Sequence, residues 1–207
     1  MRKGLQVKDL VMTGAFAALY FLCVGLGVLV GLIFDRSGNM FYAPAGAAIF
    51  GGTVYMLLQS KIKKFGAISL LGIVMGGFFF LSGHFFVAFL PGLIFGFLAD
   101  LLAKQGNYQN KWLSLASFVL FSFANSGPII MMWLARETYV QSLLARGKTQ
   151  EYIDRVMVPV NPQVVLGFVI MVVIAAIIGG LFGQYMVKKH FIKAGFPKAW
   201  HNGLPLA

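Results

Sequence analysis

The chain has 207 residues, 59% of them hydrophobic and 11% charged, with a formal net charge of +11 and a mean hydropathy of +0.82. No water-soluble domain of this size can hide so much apolar surface, so the composition describes an all-α protein that crosses the bilayer several times. A basic excess would point to nucleic acid in a soluble chain; the placement of the charges excludes that here, and a single cysteine, Cys23, excludes a disulfide framework or thiolate metal cluster.

After a basic head (Arg2, Lys3, Lys8), residues 10–34 carry no charge. At about 1.5 Å per residue that run crosses a hydrocarbon core of about 30 Å with some tilt. Gly14, Ala18 and Gly25 recur on it at spacings of four and seven, a small-residue stripe that lets another helix approach closely in lipid. Five further apolar runs follow, giving six expected spans: 9–34, 41–59, 65–83, 84–103, 112–135 and 162–187. The third and fourth meet at Ser82-Gly83-His84 and are expected to form a tight hairpin. The runs are continuous and too long for barrel strands, which would alternate.

Lys and Arg set the orientation. With the N-terminus in the cytoplasm, twelve fall inside (Arg2, Lys3, Lys8, Lys61, Lys63, Lys64, Lys104, Lys111, Lys188, Lys189, Lys193, Lys198) and five outside (Arg36, Arg136, Arg146, Lys148, Arg155). That bias predicts both termini inside, with attraction to anionic lipid headgroups as a secondary effect. Residues 1–193 read as one six-span domain and 194–207, with two glycines and two prolines, as an irregular cytoplasmic tail.

The one long loop, 136–161, lies on the outer side. It reads as two short amphipathic helices, Val140, Leu143 and Leu144 lining one and Tyr152, Ile153, Val156 and Met157 the other. Arg146-Gly147-Lys148 makes the turn and Thr149 is the expected N-cap. Such a loop is either a lid over a binding site or an interfacial helix pair resting on headgroups.

Pro44, Pro91, Pro128, Pro159 and Pro162 all fall in or beside the outer halves of spans two, four, five and six. A proline-interrupted helix frees backbone carbonyls, tolerated in lipid only where protein or a cavity receives them. The sequence therefore predicts broken outer halves around a pocket that opens outward. The strongest signal is Phe123-Ala124-Asn125-Ser126-Gly127-Pro128 in span five. An intramembrane Asn faces either a neighbouring helix or a ligand. Further out come Trp133, which is an interfacial anchor or a ligand wall, then Arg136, Glu137 and Tyr139. Asn161 and His84 begin spans six and four on the same side, and Asp35, Asn39 and Tyr42 are weaker candidates in the first outer loop. Asp100 is expected to pair with Lys104 at the inner interface. Four GxxxG matches (Gly27–Gly31, Gly72–Gly76, Gly92–Gly96, Gly179–Gly183) show close packing at most in a chain with 25 glycines.

No Walker A loop, HExxH, paired intramembrane carboxylates or GxSxG elbow occurs. No catalytic site, metal or cofactor is expected, and no internal repeat of the inverted-transporter kind is visible.

The basic head, the Lys8-Asp9-Leu10 start, the Gly14–Ala18 small-xxx-small pair, six spans, and the run Pro91-Gly92-Leu93-Ile94-Phe95-Gly96-Phe97-Leu98-Ala99-Asp100 together resemble a substrate-binding S component of an energy-coupling factor (ECF) transporter. The chain is most similar to the Trep_Strep, or MptE-type, branch, over its length to about Lys189. The resemblance implies capture of a small water-soluble micronutrient, a vitamin or similar compound, from outside in a pocket between the outer helix halves. It also implies docking of the first helix on a membrane T subunit that carries two ATPases. The family's AxxxA docking motif has Gly14 in place of its first Ala. The nickel and cobalt members use an N-terminal histidine, which Met1-Arg2-Lys3-Gly4 lacks, so a metal substrate is not implied. The expected pocket or gate residues are thus Asn125, Trp133, Arg136, Glu137, Tyr139, Asn161 and His84, and the docking seam is Gly14 and Ala18. Rival readings are an intramembrane enzyme using Glu137 or His84 in the same pocket, and a non-transporting scaffold or channel subunit.

Overall fold

The computed structural model describes residues 4–81 and 86–191. His84, the Ser82-Gly83-His84 junction and the 194–207 tail lie outside the described residues. Nine α-helices are found among those described: α1 (Val7–Phe34), α2 (Ala43–Ile62), α3 (Ala67–Leu81), α4 (Leu90–Gln105), α5 (Lys111–Ser122), α6 (Gly127–Leu134), α7 (Arg136–Ala145), α8 (Gln150–Val156) and α9 (Pro162–Met186). α5 and α6 are joined without a loop by a 3-10 turn, Phe123–Ser126, into one rod.

α1 shows why these helices do not belong in water. Its buried residues are Asp9, Thr13, Ala17, Tyr20, Val24 and Gly27, one stripe at spacings of three and four. The rest of the surface is apolar and exposed, including Leu22, Leu29 and Ile33. A helix greasy all round with one contact stripe is a lipid-facing helix. Among the described residues three segments are long and apolar enough to cross a membrane: Val7–Phe34, Lys111–Leu134 and Pro162–His190. α2 has 20 residues, α3 has 15 and α4 has 16.

The long segments close a ring. α1 packs on α2, α2 on α9, α9 on α5, α5 on α4, α4 on α3, and α3 returns to α1. Glycine makes the tightest crossings possible. A Cβ on Gly52 of α2 would strike the Gly179 carbonyl oxygen of α9, and one on Gly179 the Ala48 carbonyl oxygen. Between α3 and α4, Gly72, Gly76, Gly92 and Gly96 interlock; a Cβ on Gly92 would lie 2.6 Å from the Gly72 oxygen. All four GxxxG matches therefore lie at helix crossings, and they form the framework of the ring. The stripe on α1 behaves differently: Gly14 and Gly25 have nothing within reach of a Cβ, so among the described residues nothing packs on them.

Most prolines do not break helices. Pro44, Pro91 and Pro162 occupy the first turns of α2, α4 and α9, where the missing N–H has no intrahelical partner to lose. Among the described prolines only Pro128 sits at an interruption, directly after the 3-10 turn in the α5–α6 rod. The expectation of generally broken outer halves is corrected to one break. α3 ends at Leu81, a 3-10 turn covers Phe86–Ala88, and α4 begins at Leu90.

Polar contacts hold the end where α1 starts, called proximal below. Asp9 accepts from the Lys64 ammonium at 2.6 Å and the Gln6 N–H at 2.8 Å. Asp100, fully buried, accepts from the Gly66 and Ser69 N–H groups, the Ser69 hydroxyl and the Tyr108 hydroxyl, all within 2.9 Å. The expected Asp100–Lys104 pair is corrected by these contacts, since Lys104 instead lies 5.0 Å from the Phe65 ring centroid. A carboxylate that fastens the α2–α3 loop takes its hydrogen bonds from backbone and hydroxyl groups already inside the fold.

Candidate functional site

The apolar core divides in two. A larger cluster of α1–α5 and α9 side chains includes Tyr20, Tyr55, Phe118 and Phe121. A second, at the opposite or distal end, gathers Phe79, Ile129, Met131, Met132, Phe168 and Val172 under the loop helices. The 3-10 turn of the α5–α6 rod separates them. Pro128 cannot donate to the carbonyl four residues back and clashes with it, so the chain tightens into a 3-10 turn, the usual local response and a frequent mark of a functional position. Gly127 lets this turn press against the Ala88 carbonyl, which a Cβ would overlap.

This rod is the most enclosed of the three long segments: 72% of its apolar window is buried, against 17% for α1 and 33% for α9. Its polar groups are therefore held inside protein. Asn125 is 5% exposed, and its Nδ2 donates to the Tyr20 hydroxyl at 3.2 Å. Asn125 Oδ1, Ser126 Oγ and Trp133 Nε1 are buried with no hydrogen-bond partner. Turning the Asn125 amide over only exchanges which edge is unpaired. Ser126 and Trp133 are seven residues apart and so share a face of the rod, about 10 Å from each other along its axis. The Trp133 ring meets Phe168 of α9 edge-on at 5.4 Å, and Phe168 meets Phe41 at 5.3 Å.

The loop between α6 and α9 forms a roof. α7 and α8 run where the sequence places them, and the Thr149 hydroxyl caps α8 by accepting from the Tyr152 N–H at 3.2 Å. Tyr139, Leu143, Ile153 and Val156 are buried in the distal cluster, so the loop helices dock on the bundle by their apolar faces. Burial pushes the Tyr139 phenol above its ordinary pKa. The Val158 N–H reaches the Met132 sulfur at 3.1 Å. Partly buried Met40, Met157 and Met171 complete the cluster.

The expected site residues therefore separate. Asn125, Trp133 and Tyr139 lie in the distal cluster or on its floor. Arg136 and Glu137 are exposed, and Arg136 borders a surface recess of about 260 Å³ with Gln150, Asp154 and Pro159. Asn161 caps a helix: its side chain accepts from the Val164 N–H at 2.9 Å and starts α9. Asp35 and Asn39 are spent on their own turn, with Asp35 accepting from the Ser37 N–H and the Asn39 amide; those bonds hold the Asp35 carboxyl below its ordinary pKa. Ser126, Phe168 and the methionines were not singled out by sequence reasoning, although Ser126 stands inside the motif that found Asn125. No group of three His, Cys, Asp or Glu side chains able to hold a metal occurs among the described residues.

On the flank of the bundle, Gly14, Ala17, Ala18, Phe21 and Leu22 of α1 with Val74, Met75 and Phe78 of α3 line an open apolar groove of about 550 Å³. Gly14 and Ala18 form its shallow wall.

A family model described as a hypothetical bacterial integral membrane protein, Trep_Strep, matches residues 7–193. No curated protein and no solved structure matches the chain. The match runs from the first turn of α1 past the end of α9, taking in the ring, the floor at Asn125 and the roof. The chain belongs to the Trep_Strep family of bacterial integral membrane proteins.

Proposed function

We propose that the protein is the substrate-capture subunit of an ECF-type importer. In this reading it crosses the membrane six times with both termini inside and takes a small water-soluble micronutrient, vitamin-like in size, from the outer side. It then docks through α1 on a T subunit carrying two ATPases. α3 and α4, at 15 and 16 residues, cover about 22–24 Å of the bilayer.

The observation that carries this reading is the pairing of a helical roof with unpaired polar groups beneath it. A buried hydroxyl, amide edge or indole N–H without a partner costs about 1–3 kcal/mol, and a fold that retains three of them along one short segment retains them for something that binds there. The roof is a separate pair of short helices held by side-chain packing, the kind of element that opens and closes over a ligand. The interlocked glycine ring supports rigid-body movement of the bundle, and the groove at Gly14 and Ala18 supports close approach by another membrane helix.

The test is ATP-dependent uptake by the protein co-expressed with a T subunit and ATPase pair. Gly14→Leu with Ala18→Leu is expected to abolish uptake and co-purification while ligand binding by the isolated protein persists. Uptake at the unsubstituted rate would contradict the docking assignment.

A further inference from the structure

The distal cluster also limits what its ligand is. We propose that the part of the ligand entering the fold is an uncharged planar heterocycle bearing at least one hydrogen-bond donor and one acceptor. It is not a carboxylate, phosphate or cationic group. This inference rests on the capture reading above and adds the ligand class to it.

The argument is one of charge and then of shape. Among the described residues the buried ionisable carboxylates are Asp9 and Asp100. Both stand at the proximal end, and both are occupied, by Lys64 and Gln6 and by Gly66, Ser69 and Tyr108. At the distal end every Lys, Arg and Glu side chain of the roof is exposed, as is Asp154, and the half-buried Asp35 is held by its own turn. A ligand charge brought beside Asn125 and Ser126 would therefore meet no counter-charge among the described residues. Its desolvation would cost more than neutral hydrogen bonds return.

The unpaired groups fix the complementary chemistry. Trp133 Nε1 can only donate, so the ligand supplies an acceptor; in the orientation that gives Nδ2 to Tyr20, Asn125 offers Oδ1, so the ligand supplies a donor; Ser126 Oγ serves either need. Trp133, Phe168 and Phe41 touch one another edge-on and tilted, and a flat ring that parts them would gain the same aromatic contacts. Met131, Met132 and Met171, with flexible thioether chains, let this packed cluster part around it. A charged tail on such a ligand would have to remain at the surface, where Arg136 and Asp154 are exposed.

Matched neutral and anionic compounds test the inference: nicotinamide against nicotinate, and riboflavin against riboflavin 5′-phosphate, by thermal stabilisation of the purified full-length protein in detergent. A neutral member is expected to raise the melting temperature, and its anionic partner to bind at least tenfold more weakly. Trp133→Phe, which keeps the ring and removes the N–H, should weaken the neutral compound about 3- to 10-fold, as should Ser126→Ala. An anionic member that binds as tightly as its neutral partner overturns the charge inference and leaves the capture reading standing. If neither member of either pair shifts the protein, and protein freshly isolated from membranes releases no small neutral ring compound, the inference and the capture reading fall together.

Discussion

Asn125 reaches across the bundle to Tyr20, its Nδ2 donating to the phenolic oxygen at 3.2 Å, and in doing so ties the one interruption in the α5–α6 rod to the contact stripe of α1. Tyr20 is fully buried and meets Phe121 edge-on at 5.4 Å. The helix proposed to dock and the floor of the proposed site are thus in direct contact. Occupancy at Asn125 has a short path to α1.

Tyr20→Phe removes the hydroxyl and leaves the Asn125 amide with neither edge paired. The expected cost is about 1–2 kcal/mol, read as a lower melting temperature. Ligand affinity should change as well, because the amide is then free to turn.

The glycine framework predicts a sharp contrast. Gly179→Ala drives a methyl into the Ala48 backbone, and overpacking of this kind costs about 1–3 kcal/mol or more. Gly25→Ala meets nothing within 4 Å and should leave the melting temperature unchanged or slightly raised. Equal effects of the two substitutions would contradict the crossing assigned to α2 and α9.

Asp100→Ala strands four donors on the proximal side. The loss should be about 3–5 kcal/mol, with hydrogen exchange at Gly66 and Ser69 accelerating before the rest of the chain.

Docking of the roof should depend on pH through Tyr139. Its folded pKa is raised by burial, so the neutral phenol is the form that docks. The stabilisation is present in full below the ordinary phenol value of about 10 and is lost as pH rises through the raised folded value. Hydrogen exchange in α7 should therefore increase above about pH 10. Tyr139→Phe should remove that step.

Much of this was legible in the residues. Amphipathic spacing around Val140, Leu143, Ile153 and Val156, with Thr149 as a cap, located the roof helices because local periodicity and capping depend on neighbours alone. Asn125 announced itself because an amide in an apolar run needs a partner wherever it lies. The prolines misled for a physical reason: Pro44, Pro91 and Pro162 at first turns and Pro128 at a break have the same local chemistry, and only the fold says whether a helix precedes them. The capping role of Asn161 was not read because a capping amide and a ligand-binding amide look alike before α9 is seen to start there. The glycine ring was underread for the opposite reason, since which Gly meets which backbone is a property of the assembled helices.

The central claim is that the distal cluster, floored by Asn125 and Ser126 and roofed by α7 and α8, holds a small molecule. Native mass spectrometry of the full chain released from membranes tests it most directly. The account predicts one bound small molecule per chain, depleted by Asn125→Leu and by Trp133→Phe in protein that still folds. Protein that emerges empty, or that carries the same adduct undiminished in both variants, would contradict it.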